Sequence, residues 1–266
     1  MRRMRIIASC CVAAIASSLL LARVHPFGDA GLYVAKSAEI PILEHTQVLP
    51  EVRAILSEKC ADCHSNRTSA PLYGRFAPVS WLLERDILAG RRAMNFSQWE
   101  TYSADWQQTM AAKIVQDAKL HKMPLFQYQL IHWGTQITDA DIKVFSQWTR
   151  TLRGLGESEG MQIATEGDPA RGKEVFVRRC SGCHAMTEDR EGPRLQGVYG
   201  RISGAVAGFV YSPALKNAHI VWDSTSLERW LTDPDTAVPG NNMEFPVVKA
   251  QDRSDLISFL QKSSRQ

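Results

Sequence analysis

Two pentapeptides carry the chemistry of this 266-residue chain: Cys60-Ala61-Asp62-Cys63-His64 and Cys180-Ser181-Gly182-Cys183-His184. In each, two thiols stand one helical turn apart and an imidazole follows at once. Thiols at that spacing can add to the two vinyl groups of one porphyrin, and the adjacent histidine then meets the iron from the same side. A dithiol redox centre would need only the two cysteines, and a structural zinc site would need four ligands drawn together. The remaining two of the six cysteines, Cys10 and Cys11, lie in an apolar leader. Two such motifs 120 residues apart predict two covalently attached haem c groups, with His64 and His184 as iron ligands.

The elements that must position these groups begin with that leader. Arg2, Arg3 and Arg5 precede an uncharged run of 17 residues from Ile6 to Ala22, so the chain beyond the run is expected to be exported. Residues 1–23 read as a signal peptide or a membrane anchor. Ala14-Ile15-Ala16 offers a peptidase site, but it lies inside the run, whose length is about the minimum for a spanning helix. Four of the 31 basic residues belong to the leader, which leaves 27 against 28 acidic ones in the rest. The basic balance is therefore no nucleic-acid footprint. With 44% hydrophobic and 22% charged residues the chain is a folded, globular one.

Helical spacing recurs throughout, so the fold class is all-α: two small helical haem domains in tandem behind an N-terminal signal or anchor helix. Residues 24–44 form a juxtamembrane segment, 45–152 a first haem domain, 153–166 a linker rich in Gly and Glu, and 167–266 a second haem domain. Asp168-Pro169 is an N-cap with proline at the first helical position. Thr138 and Asp141 make a capping-box-like start for a helix carrying Ile142, Phe145, Trp148 and Leu152. Ser80 is expected to cap a helix through Ile87, and Asp252 to start the last one.

Across residues 167–266 the text reads Gly172, Phe176, Cys180–His184, Gly192-Pro-Arg-Leu-Gln-Gly-Val-Tyr-Gly-Arg201, Gly208-Phe-Val-Tyr211, Trp222, Pro239-Gly-Asn-Asn-Met243 and Asp255-Leu-Ile-Ser-Phe-Leu260. It resembles the class I cytochromes c of the mitochondrial and bacterial c2 type. That resemblance implies Met243 as the second axial ligand and the Pro193 carbonyl as acceptor of the His184 Nδ1–H. It also implies Arg201, Tyr211 and Trp222 as holders of the haem propionates, and Gly172 and Phe176 as residues packed on the last helix. Leu215 departs from the mitochondrial pattern, which has asparagine there.

Residues 49–150 carry Cys60-Ala-Asp-Cys-His-Ser-Asn66, Pro71-Leu-Tyr73, Pro78-Val-Ser-Trp81, Gly90-Arg91, Asn95-Phe-Ser97, Met123-Pro124, Tyr128 and His132. They are similar to a smaller family of exported haem-binding domains. For the sixth ligand of the first haem, Met123 lies 59 residues beyond His64, as Met243 lies 59 beyond His184. His132 is the alternative to Met123. Tryptophans 81, 99, 106, 133 and 148 read as core around a large apolar cofactor. Arg171, Lys173, Arg178, Arg179, Arg190, Arg194 and Arg201 read as a solvated surface, and His25, His45 and His219 as solvated side chains.

The resemblance implies a periplasmic dihaem electron carrier without catalytic residues. It would pass single electrons between a membrane-associated donor and an acceptor, and be tethered to the inner membrane if the leader is kept. Its partners would be redox proteins and not nucleic acid. The competing reading is a dihaem peroxidase with an open or displaceable ligand at the first haem.

Overall fold

The computed structural model describes residues 2–33, 48–154, 165–243 and 245–265, and every regular element among them is a helix or helical turn. A single isolated antiparallel bridge pairs Ile202 with Val221. The all-α expectation holds. His45, most of the 153–166 linker and part of the 24–44 segment lie outside the described residues. The chain divides into two compact units, residues 1–101 and 102–266.

The first unit contains α1 (Arg2–Leu21), α2 (Pro50–Lys59), α3 (Ala61–His64) and α4 (Val79–Ala93). α1 is apolar, exposed along nearly its whole length and, at 20 residues, spans about 30 Å, enough to cross a bilayer. Its end is tied to the folded part: the Ser18 hydroxyl donates to the Ala77 carbonyl at 2.7 Å and the Trp81 indole N–H to the Leu21 carbonyl at 3.0 Å. α4 starts at Val79, ahead of the expected Ser80 cap. Pro78 already holds helical angles (φ −87°, ψ 0°), so Ser80 is drawn into the first turn and buried. Val52, Leu56, Ile87, Phe96 and Trp99 are among the buried apolar side chains of this unit.

The second unit contains α5 (Ala104–Lys119), α6 (Phe126–Ile131), α7 (Asp139–Gly154), α8 (Pro169–Val175), α9 (Pro213–Asn217), α10 (Ser224–Thr232), α11 (Pro234–Ala237) and α12 (Ala250–Ser263). Ser103 caps α5 by accepting from the Trp106 N–H. The Thr138 hydroxyl and Asp141 carboxylate exchange hydrogen bonds with each other's backbone N–H at the start of α7, as their spacing predicts. α5 packs on α7, burying Met110, Ala111 and Val115 from one and Phe145 and Trp148 from the other. Each large apolar side chain so buried contributes about 1.5–3 kcal/mol. Trp133 departs from the expected core role: it is 91% exposed.

α8 begins as read, with the Asp168 carboxylate accepting from the Ala170 N–H at 2.7 Å and Pro169 in the first turn. α12 begins at Ala250 instead of Asp252, whose carboxylate pairs with Arg178 at 3.2 Å. α8 and α12 pack so closely that a Cβ on Gly172 would lie 2.0 Å from the Asp255 carbonyl oxygen. Phe176 and Phe259 rings meet alongside at 5.7 Å.

Asp255 joins the two helices. Its buried carboxylate accepts from the Asp168 N–H at 2.8 Å, from Arg171 Nε and Nη2 at 2.8 and 2.9 Å, and from Gln251 at 2.9 Å. Burial pushes this carboxyl up, but the hydrogen bonds from Arg171, Asp168 and Gln251 outweigh it and hold it below its ordinary value. A carboxylate held down contributes stability that is complete above the ordinary carboxylate range and is lost as pH falls through its folded value. Asp255→Asn should therefore cost about 2 kcal/mol in urea unfolding at neutral pH, and the gap from the parent protein should close on acidification.

Candidate haem sites

The second motif sits where α8 widens into a π-type turn, Phe176–Cys180, with the Ser181 N–H reaching back to the Phe176 carbonyl. The next turn closes on Cys180: the Cys183 and His184 N–H groups donate to its carbonyl at 3.1 and 2.8 Å. Both thiols and the imidazole thus belong to one tight turn. The His184 Nδ1–H donates to the Pro193 carbonyl at 2.8 Å, the acceptor that the resemblance implies. Gly192 makes that approach possible, because a Cβ there would lie 2.2 Å from His184 Cε1. Burial lowers the His184 pKa and outweighs the Pro193 hydrogen bond, so the ring is neutral and Nε2 keeps its lone pair.

Cys180, Cys183, His184, Pro193, Arg201, Tyr211, Trp222 and Met243 all line one cavity of about 150 Å³, with Leu215 among its apolar walls. Burial pushes the Cys180 and Cys183 thiols up to about 12. An apolar wall of this kind suits sulfurs carried as neutral thioethers. The donor set therefore fits a covalently attached haem: two sulfurs, a neutral imidazole, and a methionine on the same cavity. The Arg201 guanidinium donates to the Gln196 and Arg194 carbonyls, and the Tyr211 hydroxyl accepts from the Val206 N–H.

The Met243 loop has an anchor that sequence reasoning did not single out. Asn241 is buried; its side-chain oxygen accepts from the Met243 N–H at 2.6 Å, and its amide donates to the Pro234 and Val238 carbonyls at 2.9 and 3.0 Å. An asparagine two residues before the methionine in a loop without a helical stripe is the signal that could have found it.

A further wall was not foreseen. Thr109, Ala112, Gln116 and Leu120, from α5 and the residue after it, line the same cavity. Asp105 pairs with both Arg178 and Arg179, and Gln108 accepts from Arg179. Lys113 pairs with Glu191, whose carbonyl accepts from Gln116 at 2.9 Å. The basic run is therefore no simple solvated surface. Arg179 is 5% exposed, and Arg171, Arg178, Arg190 and Arg194 each pair with a carboxylate.

In the first unit the motif repeats the same turn. The Cys63 and His64 N–H groups donate to the Cys60 carbonyl at 3.3 and 3.0 Å. The His64 Nδ1–H donates to the Met94 carbonyl at 3.1 Å, and Phe96 lies 5.8 Å from the ring. Burial pushes the Cys63 thiol up to about 11. Asn66, Asn95 and Ser97 hydrogen-bond to one another, tying the segment after the motif to the one that supplies Met94. Met94 as acceptor is not readable from the sequence, since a backbone carbonyl carries no residue signature.

Met123 and His132 belong to the other unit. Met123 is 38% exposed in the turn before α6, and His132 stacks on Tyr128 at 3.9 Å while its Nδ1–H donates to the Tyr128 carbonyl. His25, read as solvated, is instead bonded to Glu84, whereas His219 is exposed.

Asn241→Ala removes the hydrogen bond accepted from the Met243 N–H and those donated to Pro234, Asp235 and Val238. We expect it to lower stability by about 1–3 kcal/mol. Optical titration with imidazole should show the oxidised variant binding at lower concentrations than the parent protein.

Residues 24–151 match the model of the haem-binding domain family, and residues 169–264 match that of cytochrome c. Cytochrome c of Euglena viridis is 46% identical over 97 residues, covering 35% of this chain and 95% of that protein. Cytochrome c of Chlamydomonas reinhardtii is 39% identical over 105 residues, 38% of this chain and 94% of its own length. Among solved structures, cytochrome cH from Methylobacterium extorquens shares 37% identity over 36% of this chain and 99% of that one, with a TM-score of 0.35. With a haem-binding domain ahead of residues that align along nearly the full length of such relatives, the chain belongs to the cytochrome c family and its chemistry is haem electron transfer.

Proposed function

We propose that this chain is a dihaem c-type cytochrome of the periplasm, held at the inner membrane by α1. It would pass single electrons between a membrane-associated donor and a second redox protein. The observation that carries the dihaem reading is the repeated turn. In both motifs the second cysteine and the histidine bond back to the first cysteine's carbonyl, and the imidazole gives its Nδ1–H to a backbone carbonyl. Each motif thus presents two thiols and an imidazole anchored through Nδ1, in the same order. Bound haem supplies the one-electron chemistry; the protein's residues fix the ligands, exclude water and set the polarity around them. The length and exposed apolar surface of α1 support retention of the leader as an anchor. A tether would raise the effective concentration of a partner in the same membrane.

Mass spectrometry of the denatured protein tests the haem count. The expected mass is that of the chain plus two haems, and Cys60→Ser with Cys63→Ser should remove one of them; a single haem in the parent protein refutes the dihaem reading. The reduced spectrum with and without carbon monoxide separates carrier from peroxidase. A carrier with two six-coordinate irons should show no change. A shift of about half the haem would mark one open iron, and Met123→Ala, chosen on its 59-residue spacing from His64, should then leave the response unchanged if Met123 is not a ligand.

A further inference from the structure

The short loop after α1 folds back onto one face of α4. His25 meets Glu84, Gly28 lies against Leu88, and the Ala30 carbonyl accepts from Arg91 at 3.0 Å. Those α4 residues are spaced i, i+4 and i+7, so the loop follows one stripe of the helix. Asp29, in the middle of the loop, is exposed, and its carboxylate accepts from the Gly31 N–H at 2.7 Å. One ligand atom each from His25, Asp29 and Glu84 lie within 4.8 Å of one another.

Glu84 makes this more than a surface cluster. Its side chain is fully buried, and one oxygen meets His25 Nδ1 at 2.6 Å. The other, Oε2, is buried with no hydrogen-bond partner among the described residues. A buried carboxylate oxygen without a donor is costly, and it is the type of group a bound cation satisfies. The imidazole is part exposed and the Asp29 carboxylate exposed, which gives a cation a path from solvent.

We propose that His25, Asp29 and Glu84 form a binding site for a divalent transition-metal cation of the zinc type, which fastens the 25–31 loop to α4 beside the end of the apolar helix. One imidazole nitrogen and two carboxylate oxygens are a ligand set that zinc takes readily, leaving further positions for water. On binding, the proton shared between His25 and Glu84 leaves to solvent and the cation takes its place. The site is separate from both cysteine-histidine motifs and independent of the haem count.

The test uses the full-length, haem-loaded protein in detergent after chelator treatment. Equilibrium dialysis against Zn²⁺, read by elemental analysis with iron as internal reference, should give one tightly bound zinc per chain. Asp29→Asn and His25→Gln lie at the open side of the site and should weaken that binding at least about tenfold, with haem content unchanged. Glu84→Gln should abolish it. Zinc should also raise the melting temperature of the parent protein and not of Asp29→Asn. No tight zinc in the parent, or equal binding by parent and all three variants, overturns the proposal. Binding of Mg²⁺ in preference to Zn²⁺ overturns the choice of metal.

Discussion

A histidine gives a metal only the nitrogen that carries no proton, and in both motifs a backbone carbonyl claims the proton of the other nitrogen. Much of each site is arranged around delivering that carbonyl. In the second, the chain returns from the motif through a glycine that lets the Pro193 carbonyl approach the imidazole, and the Gly192 N–H itself bonds to the Cys183 carbonyl at 2.8 Å. In the first, Met94 follows the last turn of α4 with its own N–H bonded to Gly90, which aims its carbonyl at His64. Two unrelated stretches of chain meet the same electrostatic requirement.

The parts legible in the sequence are those whose signal is local. The cysteine-histidine spacing, the Asp168 and Thr138 helix starts and the Met243 loop are each contained within a few residues, and Cys180, Cys183, His184, Pro193, Arg201, Tyr211, Trp222 and Met243 line one cavity. The departures are also local rules applied one step too far. Ser80 is a good capping residue, but Pro78 already sets the helical angles before it. Asp252 would start a helix well, but its carboxylate belongs to Arg178. The illegible parts depend on partners far along the chain: Arg179 looks solvated until Asp105 and Gln108, more than 70 residues earlier, are brought to it. Met94 and Pro193 act through main-chain oxygens, for which residue type is nearly silent; Pro193 is reached only through resemblance.

Charge follows the same logic. Outside the leader the basic and acidic residues almost balance, and around the second motif they do so pair by pair. Arg171 meets Asp255, Arg178 meets Asp105 and Asp252, Arg190 meets Glu188, and Arg194 meets Asp189. A surface whose charges are neutralised by neighbours projects only a weak long-range field. Anchorage would then do for encounter what steering by a strong charge patch does for a freely diffusing carrier.

α5 falls within the stretch that matches the haem-binding domain family, yet it walls the cavity of the cytochrome c part. The seam visible in the sequence is thus not a seam in the packing. A gene fragment beginning near residue 167 would carry off a complete-looking module with one side of its cavity missing. Drift at Asp105 or Lys113 is likewise answerable to Arg179 and Glu191 on the far side of that seam. Residues that match two different families are thus constrained by one cavity and one set of ion pairs.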